Sequence, residues 1–132
     1  MAYWLLKSEP ESYGWSDLVG DGTTEWTGVR NHAAADHLRA MRIGDRALFY
    51  HSGKEKAAIG VAEVTREALP DGDDGWVSVE VAARAPLARP VTLAAMKAEP
   101  ALADMAVLRQ VRLSVSPLAE AEWAAILVLA DE

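Results

Sequence analysis

Apolar and polar positions alternate most regularly in the middle of the chain, where Val77, Val79, Val81 and Ala83 interleave with Trp76, Ser78, Glu80 and Ala82. A period of two predicts a strand over Trp76–Ala85 with one buried face, followed by an irregular tail from Arg84 to Pro90. Tyr3–Lys7 is an apolar, aromatic run broken by Ser8-Glu9-Pro10, and reads as a first strand entering a loop. Arg46–His51 and Ala58–Arg66 read as further strands, with Gly60 marking a bulge or a close backbone approach. A last strand is expected over Val111–Ser116, with Leu113 and Val115 on one face.

Helical segments are expected in four places. Ala34, Leu38 and Met41 recur on one face of a helix over Asn31–Met41, with Asn31 as its cap. Thr92 caps a short helix over Leu93–Ala98, and Ser16 is placed to cap a helical turn at Asp17–Val19. Trp123, Ile126, Leu127 and Ala130 face the core from a final helix. Its expected cap position is Ala119, which offers no acceptor, with Glu122 where a capping box places its carboxylate. The alternative start is Ser116, with Pro117 in the first turn. Between these elements, Trp26–Asn31 is a compact loop around Gly28, and Pro70–Gly75 an acidic turn.

Short strands interrupted by short helices predict an α+β domain: a small mixed β-barrel with helices packed around it. At 132 residues, with no internal repeat and no long linker, residues 1–132 read as one domain.

Composition narrows the function. A hydrophobic fraction of 51% excludes disorder, and the absence of cysteine excludes disulfides, thiolate catalysis and cysteine zinc sites. His32, His37 and His51 form no metal-ligand pattern; His32 and Asp36, one helical turn apart, read as a solvated face. No apolar run approaches the roughly 20 residues of a membrane span, and Met1–Pro10 lacks a signal-peptide layout, so no membrane contact and a cytoplasmic location are expected. Thirteen basic against twenty acidic side chains give a net charge of −7. Such a chain is unsuited to gripping long duplex through phosphates. A short contact around one base remains open to it if basic residues gather at one mouth.

No nucleophile elbow, phosphate loop or metalloprotease motif occurs. Asp71, Asp73 and Asp74 lack the glutamate of a calcium loop and read as a solvated hairpin tip. Three polar clusters remain. Lys7-Ser8-Glu9-Pro10 is either a binding edge or a plain strand-end turn. Trp26-Thr27-Gly28-Val29-Arg30-Asn31 offers a stacking face and backbone N–H groups, or else a core tryptophan and a helix cap. Tyr50-His51-Ser52 ends a strand with polar groups, or holds a satisfied rim histidine. Together they supply a flat apolar face plus donors and acceptors, the means by which unstacked bases are read.

These blocks, with Leu38–Asp45, Gly60–Val64, Pro90–Leu93, Arg112–Val115 and Trp123, resemble the EVE domain, the thymocyte nuclear protein 1 family of the PUA-like superfamily, nearly end to end. The resemblance implies a PUA-like β-barrel that reads a modified base in DNA or RNA, by analogy with the related YTH readers, and needs no cofactor. It implies a pocket lined by Lys7, Ser8, Glu9, Trp26, Asn31, His51 and Ser52, with Arg30, Arg109 and Arg112 on the nucleic-acid backbone. The chain departs from the family pattern at Thr27, where aspartate is frequent, at His32, where an aromatic is common, and at Ala119, where serine or threonine is usual. The first two bear on which base is bound, the third on stability alone.

Two rival readings stand beside this non-enzymatic one. ASCH-type relatives hydrolyse modified nucleosides with a lysine, a hydroxyl and a carboxylate, and Lys7, Ser8 and Glu9 or Glu63 supply those groups. A small-molecule or partner-binding domain is the other, favoured by the acidic charge. The oligomeric state is left open.

Overall fold

The computed structural model describes residues 1–110 and 112–131. Its strands are β1 (Tyr3–Ser8), β2 (Thr23–Trp26), β3 (Arg46–His51), β4 (Ala57–Pro70), β5 (Val77–Thr92) and β6 (Val115–Leu118). The helices are α1 (Trp15–Asp21), α2 (His32–Ala40), α3 (Leu93–Ala98), α4 (Ala106–Arg109) and α5 (Glu120–Asp131), with a 3-10 turn at Pro100–Leu102. The strands form one mixed sheet in the order β2-β5-β4-β3-β1-β6. β1 and β3 are parallel, Tyr3 opposite Arg46 and Ser8 opposite His51, and the other neighbours are antiparallel.

The α+β class is as expected, but the ladder is open: among the described residues, edge strands β2 and β6 do not pair, so the pairing does not close a barrel. Instead α2 packs against both β5 and β6. All six strands nevertheless send side chains into one apolar cluster, among them Trp4, Leu6, Trp26, Phe49, Val64, Val79, Val81 and Val115. A second cluster on the other face, around Leu5, Leu48, Tyr50 and Val91, is covered by α3, α4 and α5 through Met96, Val107, Trp123 and Ile126. Because strand side chains alternate between faces, Leu5 and Leu6 serve different cores.

Local chemistry explains most boundaries. Asn31 Oδ1 accepts the Ala34 N–H at 2.9 Å, and Thr92 Oγ1 the Ala95 N–H at 3.1 Å, so both expected caps are formed. α1 is opened by Gly14 rather than Ser16: the Asp17 carboxylate accepts the Gly14 N–H at 2.8 Å. Gly60 is a close approach, since a Cβ there would lie 2.6 Å from the Trp15 indole, and the β4–β5 register shifts beside it. α5 starts after Ala119, whose N–H donates to Glu122 Oε1 at 2.8 Å, while Ser116 lies inside β6. The helix therefore does not begin at Ser116.

Four elements differ from expectation. β4, expected over Ala58–Arg66, runs over Ala57–Pro70. β5 runs to Thr92, because Ala85 and Pro86 and then Val91 and Thr92 pair with β4 around an irregularity that takes up Leu87–Pro90. β2 occupies Thr23–Trp26, where no strand was expected. The last strand, expected over Val111–Ser116, is Val115–Leu118, set by Leu6 facing Val115 and Tyr3 facing Leu118; Val111 lies outside the described residues.

Candidate functional site

The end of β1 and the edge strand β2 come from opposite sides of the open sheet and face each other across a cavity of about 480 Å³. This is within the usual range for small-ligand sites. Lys7, Ser8 and Glu9 form one wall, Thr24–Arg30 the other, with Ser12, Tyr13 and Ser114 between them. The site therefore lies beside the gap that leaves the ladder open.

Trp26 supplies the flat wall. It is also a core residue, 9% exposed, with its ring meeting Phe49 edge-on at 5.6 Å and 89°. Core and pocket are thus not alternatives for this side chain. Ser8 Oγ donates to the Tyr13 carbonyl at 2.6 Å, which leaves its lone pairs as acceptors in the cavity. Tyr13 donates its hydroxyl to Asp21 at 2.8 Å, and burial together with that carboxylate raises its ordinary value. Glu9 is exposed at the rim, and its carbonyl accepts the N–H groups of Ser12 and Tyr13.

Lys7 is half-buried, and burial lowers its ammonium from the ordinary lysine range. Its Nζ lies 5.9 Å from the Tyr50 ring centroid, and Tyr50 belongs to the second core cluster. Neighbouring strand residues project to opposite faces, so the Lys7 ammonium and the Ser8 hydroxyl diverge. Glu63 lines a different region, paired with Arg84 and Arg46, with Arg84 chiefly responsible for holding its carboxyl below the usual range. Glu63 is therefore not assembled with Lys7 and Ser8, and Glu9, the other carboxylate of the hydrolytic reading, is exposed at the rim while the Lys7 ammonium turns toward Tyr50.

The loop after Trp26 is fixed by the turn that was expected to be only solvated. Asp71 accepts the Gly28 N–H at 2.9 Å and pairs with Arg30 at 3.0 Å, and these two donors lower its carboxyl. The Arg30 guanidinium in turn lies 5.7 Å from the Trp76 ring centroid.

Of the residues assigned to the pocket, Asn31, His51 and Ser52 are not in it. Asn31 is committed to capping α2 and lines an adjoining depression with Arg112. His51 is buried: the Trp15 N–H donates to its Nε2 at 3.0 Å, so Nδ1 carries the proton toward Glu55, 2.7 Å away. Strand alternation brings His51 against Phe49 and α1, which makes it a structural link. Ser52 reaches the site only by its N–H, donated to the Ser8 carbonyl at 2.9 Å. Of the three arginines, Arg30 lines the cavity, Arg112 the adjoining depression, and Arg109 is exposed and paired with Asp104. Tyr13, Thr24, Glu25 and Ser114 were missed. The paired threonines before Trp26 are a strand signal that places Thr24; Ser114 carries none.

The EVE domain family matches residues 2–129 of the chain. Human thymocyte nuclear protein 1 is 32% identical over 168 aligned residues, covering 99% of this chain and 75% of that protein. A solved protein from Rhodopseudomonas palustris is 49% identical with a TM-score of 0.95, covering 99% of this chain and 94% of the other. The human THYN1 protein, solved in complex with 5-methylcytosine-containing DNA, is 31% identical with a TM-score of 0.92, covering 100% and 99% of the two chains.

Proposed function

The chain belongs to the EVE domain family, and from that premise we propose that it binds nucleic acid by taking one modified base into the cavity between β1 and β2. The observation that carries this reading is the cavity itself. Trp26 lines it together with the acceptor hydroxyl of Ser8, with Thr24, Thr27 and Ser114 around them. A ring against the Trp26 indole gains stacking, and its edge finds donors and acceptors, as extruded bases require. The structural relative bound to 5-methylcytosine-containing DNA supports the same assignment.

Ser8, Glu9, Trp26 and Arg30 are the proposed ligand contacts, with Tyr13, Thr24 and Ser114 added from the structure; Lys7 lines the cavity while its ammonium turns toward Tyr50. The base supplies the selectivity and phosphates a limited share, in keeping with a net charge of −7. The protein acts as a binder rather than a hydrolase, since Lys7 and Ser8 diverge and Glu63 is engaged elsewhere. RNA as an alternative partner, a PUA-like barrel curl and a cytoplasmic location belong to the same proposal. Among the described residues no helix is long and apolar enough to cross a membrane.

Titration with DNA oligonucleotides identical except for one 5-methylcytosine, hydroxymethylcytosine or N6-methyladenine tests the reading. One modified oligonucleotide should bind more tightly than its unmodified parent and be recovered chemically intact. Trp26→Ala, assayed below its melting temperature, should weaken that binding by about 1–3 kcal/mol, the usual worth of a base–aromatic stack. Equal affinity for every oligonucleotide, or release of the modifying group, contradicts it.

A further inference from the structure

The basic residues of this acidic chain are unevenly paired, and six of its nine arginines face carboxylates. Arg30, Arg39, Arg46, Arg66, Arg84 and Arg109 each face a carboxylate within 4 Å. The lysines behave differently. Three of the four, Lys54, Lys56 and Lys97, line one open depression of about 310 Å³, and among the described residues none of these three has an ion-pair partner. Like charges left together and uncompensated repel one another, so their grouping suits an anionic occupant.

The depression is built on a held turn. Lys54 and Lys56 lie between β3 and β4, and Lys97 lies on α3. The Leu93 N–H donates to the Lys56 carbonyl at 2.8 Å, which ties the turn to the start of α3. Lys56 is the one non-glycine residue with positive φ among those described, at 49°, a conformation that costs a side-chain-bearing residue energy. Glu55, the carboxylate within the depression, is drawn onto His51 Nδ1 at 2.7 Å. The buried His51 thus anchors the turn and engages the acid that would oppose an anion.

The position is as informative as the charge. The turn leaves β3 where Ser8 faces His51, and Ser52 donates to the Ser8 carbonyl. Adjacent strands are about 5 Å apart, so the turn begins one strand spacing from the wall of the base cavity. Resting on the base-binding reading above, we propose that Lys54, Lys56 and Lys97 receive the phosphodiester backbone of the strand whose base occupies the cavity. In this proposal a strand leaving the cavity past Ser8 runs toward the turn that carries Lys54 and Lys56. Together with Arg30 across the cavity, the three lysines give an otherwise acidic protein a local track for a short stretch of nucleic acid.

The test uses the triple variant Lys54→Gln, Lys56→Gln, Lys97→Gln and two probes. One is a single-stranded DNA oligonucleotide carrying one 5-methylcytosine, titrated over a range of salt. The other is the free nucleoside 5-methyl-2′-deoxycytidine, which has no phosphate. The variant should lose about tenfold in oligonucleotide affinity at low salt. Its log–log salt slope should shrink by about 2, at about 0.7 per phosphate contact on a single strand. Nucleoside affinity should be unchanged, and arginine at all three positions should restore the oligonucleotide affinity. An unchanged oligonucleotide affinity and salt slope overturn the lysine site. A lysine-dependent, salt-dependent affinity that ignores the modification, with no nucleoside binding, upholds the lysine site and removes the base-reading assignment.

Discussion

β1 and β3 run side by side in one direction, and their two ends carry polar clusters of opposite character. At the starting end, Asp45 is buried and accepts three N–H donors: the Trp4 indole and the Arg42 backbone at 3.0 Å on one oxygen, and the Ala2 backbone at 3.1 Å on the other. Burial by itself pushes this carboxyl up; the donors from Arg42, Trp4 and Ala2 outweigh it and hold the value below the ordinary aspartate range. At the finishing end, Ser8 opens onto a cavity, His51 braces the adjoining turn, and three lysines share a depression with no ion-pair partner among the described residues. The same two strands thus carry a polar cluster whose groups satisfy one another and one whose groups are presented to a ligand. The first contributes to stability, the second is the end to which the proposal above assigns binding, and each should respond to its own perturbations.

Asp45→Ala is expected to have the largest effect. It leaves the Trp4 indole N–H and nearby backbone donors without their acceptor, at a cost of about 3 kcal/mol. Urea unfolding at pH 7 measures this, and the affinity of the folded fraction for modified DNA should be unaltered. The carboxyl has a depressed value in the folded state, so its stabilisation is fully present above the unfolded value of about 3.9 and is lost as pH falls through the folded one. The gap between parent and variant should therefore narrow in acid below about pH 4. An affinity loss as large as the stability loss breaks the division between the two ends.

A smaller effect is expected at a position belonging to neither cluster. Ala119 precedes α5, and Glu122 already accepts its N–H, so half of a capping box exists. Ala119→Ser adds the missing acceptor and should raise stability by about 1 kcal/mol. A thermal melt should show the increase with no change in DNA affinity. No rise means that the serine does not complete the box.

The sequence foretold best those features whose cause is local. The Asn31 and Thr92 caps, the crowding at Gly60 and the unfinished cap at Ala119 follow from a side chain and its near neighbours. The juxtaposition of Lys7-Ser8-Glu9 with Trp26 and Arg30 was legible through the family resemblance and through the clustering of aromatic and polar types. What failed depended on tertiary arrangement. His51 reads as a pocket residue from its strand-end polar cluster and from the family resemblance, yet the face it shares with Phe49 turns it toward Trp15. Asn31 was legible as a cap and as a ligand contact, and the cap claimed its side chain. The continuation of β5 past Pro86 and Pro90 uses the places where a strand tolerates proline, an edge beyond the end of β2 and an irregularity before Val91, and both depend on partner strands. The lysine cluster joins residues some 40 positions apart, so no stretch of sequence displays it.

Backbone amide chemical shifts followed by NMR during titration with 5-methyl-2′-deoxycytidine, or whichever modified nucleoside binds best, test the central claim most directly. The account predicts saturable shifts at Ser8, Glu9, Tyr13, Thr24–Arg30 and Ser114, with Trp4, Arg42 and Asp45 unmoved. Shifts that gather around Asp45 or on the α5 surface while the cavity residues stay still contradict it.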